Sequence, residues 1–429
     1  MMMQAKQIER RTAITLAAGL LAMVMVESAA AVPFIESAYG GQSPWYSAEL
    51  NAVANTGAAV GRGGLSNILN PAGLAWTTGT QLDLGLTIVR HEEDRFMPVY
   101  DSFGSWVIDM AIASNQKTRL SGSAGLALRN PSLPVVVGLS LVERYPFQYA
   151  FEEEIRNPYP YSSPERDRIL EERRYEVEGA LRTLSCGLAG QLLGERLAVG
   201  AAVHYTFGDR NEYVFVRNYT DGESFDLREE WDLNGFHATI GVQSRIHERL
   251  ALGAAYETRL KVDGEINDDP GQYALRYPGN WRGGLAFFPR SDPRTVFTAD
   301  IVYTDWTALE DNRYDAEELP LLQASLQEVI DVCFGVEHTF YNQARLRFGF
   351  RRYDSYADRE GGNSVFSAGA GWPLASGMMA FSLELNKVQS VLPHIFGYFN
   401  EDGSQYYAAD TARVDDRRIR LGFSWSRNF

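Results

Sequence analysis

Arg418-Ile419-Arg420-Leu421-Gly422-Phe423-Ser424-Trp425-Ser426-Arg427-Asn428-Phe429 closes the chain. In it Ile419, Leu421, Phe423, Trp425 and Phe429 share one phase, and Arg418, Arg420, Gly422 and Ser424 the other. Strict alternation turns each residue by half a revolution, so it describes a strand whose two faces meet different surroundings. The pattern recurs upstream. Leu250, Leu252, Ala254 and Tyr256 alternate with Ala251, Gly253, Ala255 and Glu257, while Phe297, Ala299, Ile301 and Tyr303 alternate with Thr298, Asp300, Val302 and Thr304. A soluble sandwich would point the apolar phase inward. A membrane barrel points it outward to lipid and leaves small or polar groups in the lumen.

The choice turns on length and connections. Strands are expected at 79–92, 113–129, 133–149, 174–192, 195–215, 229–246, 249–263, 272–289, 294–307, 328–341, 343–354, 361–373, 376–392 and 412–429. Many are longer than the five or six residues of an ordinary strand. Tight connections at 130–132, 193–194, 247–248, 290–293, 342 and 374–375 alternate with longer ones at 93–112, 150–173, 216–228, 264–271, 308–327, 355–360 and 393–411. Short turns at one end and long loops at the other form the outer-membrane meander, periplasmic and extracellular respectively. The expected fold is therefore all-β, a transmembrane antiparallel β-barrel of fourteen strands over 79–429, with Trp106–Ala113 excluded as a separate strand because it would make the number odd. A strand ending on an aromatic also resembles the signal read by the barrel insertion machinery.

Composition fits. The 429 residues include 22 Phe, 22 Tyr, 8 Trp and 39 Gly, with a net charge of −15. That acidity disfavours nucleic acid, which needs a basic face. Two cysteines, Cys186 and Cys333, exclude a disulfide framework and a Cys-rich metal centre, and they fall on separated strands. Residues 1–31 carry Lys6, Arg10 and Arg11, an apolar run from Thr12 to Val26, and Ser28-Ala29-Ala30-Ala31. This is the pattern of a secretory signal peptide cleaved near Ala31. Its removal would leave a charge of −16, from 37 basic and 53 acidic residues.

Residues 32–78 do not alternate and are rich in Gly, Ala, Ser and Asn. A lumen of about fourteen strands needs filling, so this stretch is expected to fold back as a plug. Here a resemblance enters. Asn70-Pro71-Ala72-Gly73-Leu74-Ala75, preceded by the Gly/Ala-rich Thr56–Asn67, resembles the hatch of the FadL-type outer-membrane transporters of long-chain fatty acids and other hydrophobic compounds. Arg249–Lys261, and Pro278-Gly279-Asn280-Trp281-Arg282-Gly283-Gly284 followed by Asp300, Tyr303 and Trp306, carry the same look. Ile68-Leu69 depart from it, since an aromatic is expected before Asn70.

The resemblance implies a bacterial outer-membrane channel, porin-like and monomeric, for passive lipid or fatty acid transport. A hydrophobic small molecule would pass the lipopolysaccharide, enter a lumen pocket gated by the hatch motif Asn70, Pro71, Ala72 and Gly73, and leave sideways into lipid. No cofactor is implied. Gly138 and Pro146 in the third strand are the expected kink for that exit, the alternative being that Pro146 only ends the strand at the rim. Leu319, Leu322, Leu326 and Ile330 recur at helical spacing in 316–330, a candidate ligand-capture helix. Residues 162–174 read as a charged helix. Catalytic residues are not expected. His91-Glu92-Glu93 and His247-Glu248 lack the second His of a zinc protease, and Gly61–Gly64 lacks a phosphate-loop lysine. His204, His237 and His338 read as wall residues. The competing reading is a FadL-like barrel serving as scaffold or anchor of a secretion or surface complex.

Overall fold

The structure, a computed structural model, describes residues 37–41, 45–61, 63–100, 103, 105–130, 132–156, 168–193, 196–219, 222, 224–266, 269–292, 294–312, 326–356, 362–393 and 411–429. The expected signal peptide, Leu319 and Leu322 lie outside them. One antiparallel sheet closes on itself. Its eighteen hydrogen-bonded segments make fourteen strands, because four strands are each broken once. In order they are β1 Thr80–Tyr100, β2 Trp106–Arg129, β3 Val135–Pro146 resuming as Tyr149–Arg156, β4 Ile169–Leu192, β5 Leu197–Asn218, β6 Ser224–His247 and β7 Leu250–Glu257 resuming as Leu260–Ile266. There follow β8 Asp269–Tyr277 and Asn280–Phe287, β9 Thr295–Asp305 and Glu310–Asp311, β10 Glu328–Thr339, β11 Arg345–Asp354, β12 Gly362–Leu374, β13 Gly377–Pro393 and β14 Thr411–Asn428. The ring closes where β1 pairs with β14, from Gln81 opposite Asn428 to Phe96 opposite Arg413.

The faces sort as a membrane barrel requires. Ile419, Leu421 and Phe423 are exposed on the outside, and Arg418, Arg420 and Ser424 are buried inside. Phe297 and Ile301 likewise face out, Thr298 and Asp300 in. No helix among the described residues is long and apolar enough to cross a membrane, and strands do the crossing instead.

Three expectations about connections need correction. The region 93–112 is not a long loop: β1 and β2 continue as a paired hairpin, Glu92 opposite Gln116 and Pro98 opposite Asp109. The sequence hides this because Arg90, Glu92 and Asp94 face outward where lipid has ended, so the apolar alternation stops while the backbone ladder does not. Glu92 accepts from Arg90 Nε (2.9 Å) and Gln116 Nε2 (2.6 Å) there. The same reason shortens 216–228 and 264–271, where β5, β6, β7 and β8 run on. Second, 106–112 is part of β2 rather than loop; as expected, Trp106–Ala113 forms no separate strand and the number stays even. Third, Ile169–Arg174 of the expected charged helix lie in β4, and Glu328–Ile330 of the expected capture helix lie in β10.

Candidate functional site

The segment before β1 folds inside the ring. α1, Ala48–Ala52, begins at Ser47, whose Oγ accepts from Leu50 N (3.2 Å). α2, Ser66–Leu69, runs into a 3₁₀ turn at Pro71–Trp76. Asn70 caps that turn, its Oδ1 accepting from Ala72 N (3.1 Å), with Pro71 at the first position, where a missing N–H costs nothing. The other end of the Asn70 amide ties the turn to the wall: Nδ2 donates to the carbonyls of Ala58 (2.7 Å), Val242 (3.0 Å) and Ala254 (3.4 Å). Asn70 is wholly buried, so each bond replaces one it would make to water.

A second anchor comes from β9. Asp300 Oδ2 accepts from the N–H groups of Gly57 (2.9 Å) and Ala58 (3.0 Å) and pairs with Arg282 (3.4 Å). Thr56 and Thr298 join hydroxyls at 2.6 Å beside it. The wall also meets the plug with bare backbone. Gly125 faces Leu65, Gly138 faces Leu74, Gly187 faces Asn67, Gly241 faces Asn70, Gly253 faces Ala58, and Gly349 faces Ala54, each so close that a Cβ would overlap the plug. This accounts for glycine at these six strand positions.

On one side of the plug, towards the mouth with the tight turns, a cavity of about 400 Å³ is lined by Glu49, Asp83, Glu337, Arg347 and Arg427 among others. Arg347 bridges Glu337 (2.6 Å) and Glu49 (3.4 Å), linking α1 to β10 and β11. On the other side lies an apolar cluster of Tyr39, Phe147, Leu181, Trp231, Tyr273, Tyr277, Trp306, Leu326 and Tyr356. Trp306 stacks on Tyr356 (centroids 4.2 Å apart), and Arg210 lies over Trp231 at 4.1 Å. Between cluster and plug a cavity of about 100 Å³ is lined by Tyr46, Arg144, Tyr145, Glu257, Arg282, Trp306 and Arg351.

One of the interruptions of the wall lies in β3. β2 and β3 pair from Arg129 opposite Val136 to Ser123 opposite Val142, and there their ladder stops. Beyond Val142, β3 turns inward. Arg144 reaches Glu257 of β7, and Tyr145 stacks on Tyr277 of β8 (4.4 Å, 13° between planes). The strand breaks after Pro146 and resumes at Tyr149, paired with β4 but not with β2. Tyr149 is held at the level of β1, donating to Glu93 (2.7 Å) and accepting from Arg95 (2.9 Å). The backbone seam between β2 and β3 is therefore open from Val142 outward. The plug's leading end touches the same bend, since Gly41 N donates to Pro146 O (3.1 Å).

Of the residues singled out in the sequence, Asn70, Pro71, Ala72 and Gly73 are buried in the 3₁₀ turn and its cap, where the plug meets the wall. Pro146 stands at the break inside β3, not at a rim. Gly138 does not kink the strand: its ladder is continuous with both neighbours, and its lack of a side chain admits Leu74. Leu326 is buried in the lumen cluster rather than displayed on an outer helix. Cys186 is exposed on the outer face and Cys333 buried, both free. Sequence reasoning missed one juxtaposition. Ser185 and His204 are direct cross-strand partners, and His204 lies between Ser185 Oγ (2.7 Å) and Thr239 Oγ1 (2.9 Å), stacked on His237 (4.5 Å). With both ring nitrogens bound to hydroxyls, the imidazole is a packing and bonding element of the inner wall. Period-two reading of β4 and β5 places both residues on the lumen face, but their pairing depends on the hairpin register, which the sequence does not print.

No protein-family model matches the sequence, and no curated protein matches it. The fold has clear counterparts. Over 91% of this chain and 100% of the other, the structure is similar to a FadL homologue of Pseudomonas aeruginosa, with a TM-score of 0.63 and 13% identity. It is similar to the toluene transporter TodX of Pseudomonas putida (TM-score 0.54, 14% identity, 91% and 99% of the two chains). It is similar too to the toluene transporter TbuX of Ralstonia pickettii (TM-score 0.55, 12% identity, 91% and 99%). At these identities the likeness is one of fold: a closed fourteen-stranded FadL-like barrel with a segment preceding it.

Proposed function

We propose that the chain is a bacterial outer-membrane channel for hydrophobic small molecules, with 32–78 as its hatch. A ligand enters the apolar lumen from the mouth with the longer connections, which is the extracellular one, and leaves through the open seam between β2 and β3. The observation that carries this reading is the inward turn of β3 after Val142, which unpairs the wall beside an apolar lumen sealed below by the plug. The driving force is partition. Each CH₂ moved from water to an apolar site is worth about 0.8 kcal/mol, so transport down a gradient needs neither cofactor nor bond chemistry. The similar structures, a FadL homologue and toluene transporters, agree with a hydrophobic ligand. Long-chain fatty acids are the first substrate to try, because the inner cavity joins Tyr46, Tyr145 and Trp306 to the ion pairs Arg144–Glu257 and Arg282–Asp300, a mixed lining that suits an amphiphile better than a plain hydrocarbon. Lipopolysaccharide and the insertion machinery are the implied membrane partners of a monomer.

One observation favours the scaffold reading: among the described residues the lumen beyond the plug is packed with its own aromatic side chains, and the cavity beside them measures about 100 Å³. Uptake decides. Cells lacking the protein, and the same cells carrying it, are given labelled long-chain fatty acid and labelled toluene. Faster uptake of either one with the protein supports the channel; equal rates for both leave the scaffold.

A further inference from the structure

We propose that three ion pairs, Arg144–Glu257, Arg282–Asp300 and Arg351–Asp331, are the floor of the ligand path: they stop an apolar chain above the plug and turn it towards the seam between β2 and β3. This deepens the lateral-exit reading above and rests on it.

The inner face of the wall is banded. Followed inward from the mouth with the longer connections, strand after strand leaves the apolar cluster and then presents a charge. Leu260 gives way to Glu257 on β7, Tyr277 to Arg282 on β8, Trp306 to Asp300 on β9, Val329 to Asp331 on β10, and Tyr356 to Arg351 on β11. On β4 and β6 hydroxyls take the place of charge: Leu181 leads to Thr183 and Leu233 to Thr239, which bond Thr206 and His204, each at 2.9 Å. Arg144 joins the belt from the bent part of β3. No side chain of the three pairs is more than 15% exposed. Arg144, Glu257, Arg282, Asp331 and Arg351 line one cavity, with Trp306 of the cluster and with Tyr46 and Ile68 of the plug, so they form one layer between the two. Asp300 holds Gly57 and Ala58 from the same layer. A ligand that gains free energy by leaving water for apolar surroundings finds that gain in the cluster. It loses it in the belt, because passing means parting charges that have little water to turn to. The belt also lies where the wall opens: the β2–β3 ladder ends at Val142, and Arg144 is the next inward residue of β3. A chain stopped there rests beside the unpaired edge. Arg351–Asp331 is spare for holding the wall, since the β10–β11 ladder from Val332–Arg352 to Thr339–Arg345 already does so.

The test uses intact cells producing the full chain. They are given from outside a long-chain fatty acid or a toluene analogue, each carrying a photoactivatable diazirine, and the cross-linked residues are mapped by mass spectrometry after illumination. In the parent, labelling that an excess of the plain compound prevents is expected on the apolar cluster and around Val142–Tyr145. The plug peptide 53–61, beneath the belt, is expected to carry less on the order of a hundredfold, because a ligand reaches it only by parting a buried pair. Arg351→Met with Asp331→Leu, checked for folding by heat-modifiable migration, replaces one pair by apolar side chains. It is expected to raise labelling of 53–61 about tenfold, one decade in the equilibrium between lodging above and beneath the belt. Amide exchange of the same peptide should stay at the parent rate, which separates a breached floor from an unseated plug. Arg351→Lys with Asp331→Glu keeps both charges and should label as the parent does. A parent whose 53–61 is labelled as heavily as its lumen overturns the floor without any variant and leaves the channel reading intact. An unchanged distribution in the uncharged variant overturns it as well. A parent whose lumen takes neither probe sinks the channel reading, and the floor with it.

Discussion

Replacing Asp300 by Ala is the sharpest probe of how the plug is seated. The carboxylate accepts from Gly57 N and Ala58 N at 2.9 and 3.0 Å, inside a wall where Asp300 is 2% exposed. A hydrogen bond to a charged group is worth about 1.5–3 kcal/mol, so two at the lower figure make about 3 kcal/mol, before counting the loss of a partner for Arg282. The β-barrel does not depend on this contact, so the loss falls on local opening of 56–58 rather than on global unfolding. Three kcal/mol is about two decades in an equilibrium constant. Amide hydrogen exchange, followed by mass spectrometry on a peptide covering 53–61, should therefore speed up by about a hundredfold in Asp300→Ala. Wall peptides that do not touch 56–58 should exchange at the parent rate and serve as the control. Asp300→Asn, whose amide oxygen still accepts, should fall between the two. Parent-like exchange of 53–61 in the alanine variant would refute the anchoring role, and acceleration everywhere would show that Asp300 supports the wall instead.

Three further outcomes are expected. A lipid-soluble maleimide should modify Cys186, which is exposed on the outer face, and leave Cys333, 2% exposed, untouched in the folded protein; labelling read by mass spectrometry would contradict the inside-out sorting if Cys333 reacted first. Trp231→Ala removes a ring that is 1% exposed and stacked under Arg210, and should cost about 3–5 kcal/mol, seen as a lower midpoint of thermal unfolding together with faster ligand uptake through the emptied lumen. In the turn before β9, hydrogen bonds from Arg294 hold the Asp292 carboxyl below the usual carboxylate range. A depressed folded-state value means stability that is present above the unfolded value, about 3.9, and lost as pH falls through the folded one. Arg294→Ala should therefore narrow the difference in unfolding midpoint between neutral and acid solution; an identical pH dependence in parent and variant would refute it.

How much of this was legible in the sequence follows from the physics of each feature. Alternation at Ile419–Phe429 or Phe297–Tyr303 reports two different solvents on two faces, so strand number and orientation could be read directly. Where β1 leaves lipid at Arg90, both faces become polar and the signal ends, although pairing with β2 continues to Tyr100 and Trp106. Loop lengths were therefore overestimated there. Asn70-Pro71 marked the plug because a capping Asn before Pro is a local feature. Its partners Val242 and Ala254 and the Asp300 anchor join residues far apart in the chain. Those meetings are fixed by register and ring closure, and a shift of one residue in any hairpin would exchange lumen and lipid faces.

The glycines that face the plug have a consequence for assembly. A strand can slip by two residues and still present apolar side chains to lipid, so the membrane alone does not distinguish the correct alignment from its nearest wrong one. The plug does. With β6 slipped by two, Gly241 would be replaced under Asn70 by Thr239 or Gln243, and a slipped β3 would set Val136 or Ser140 against Leu74 in place of Gly138. Neither alignment leaves room for the plug, which is placed only when successive strands offer bare backbone at one common height. Docking of the N-terminal segment thus acts as an inspection of the finished wall, rejecting misaligned rings that lipid would tolerate.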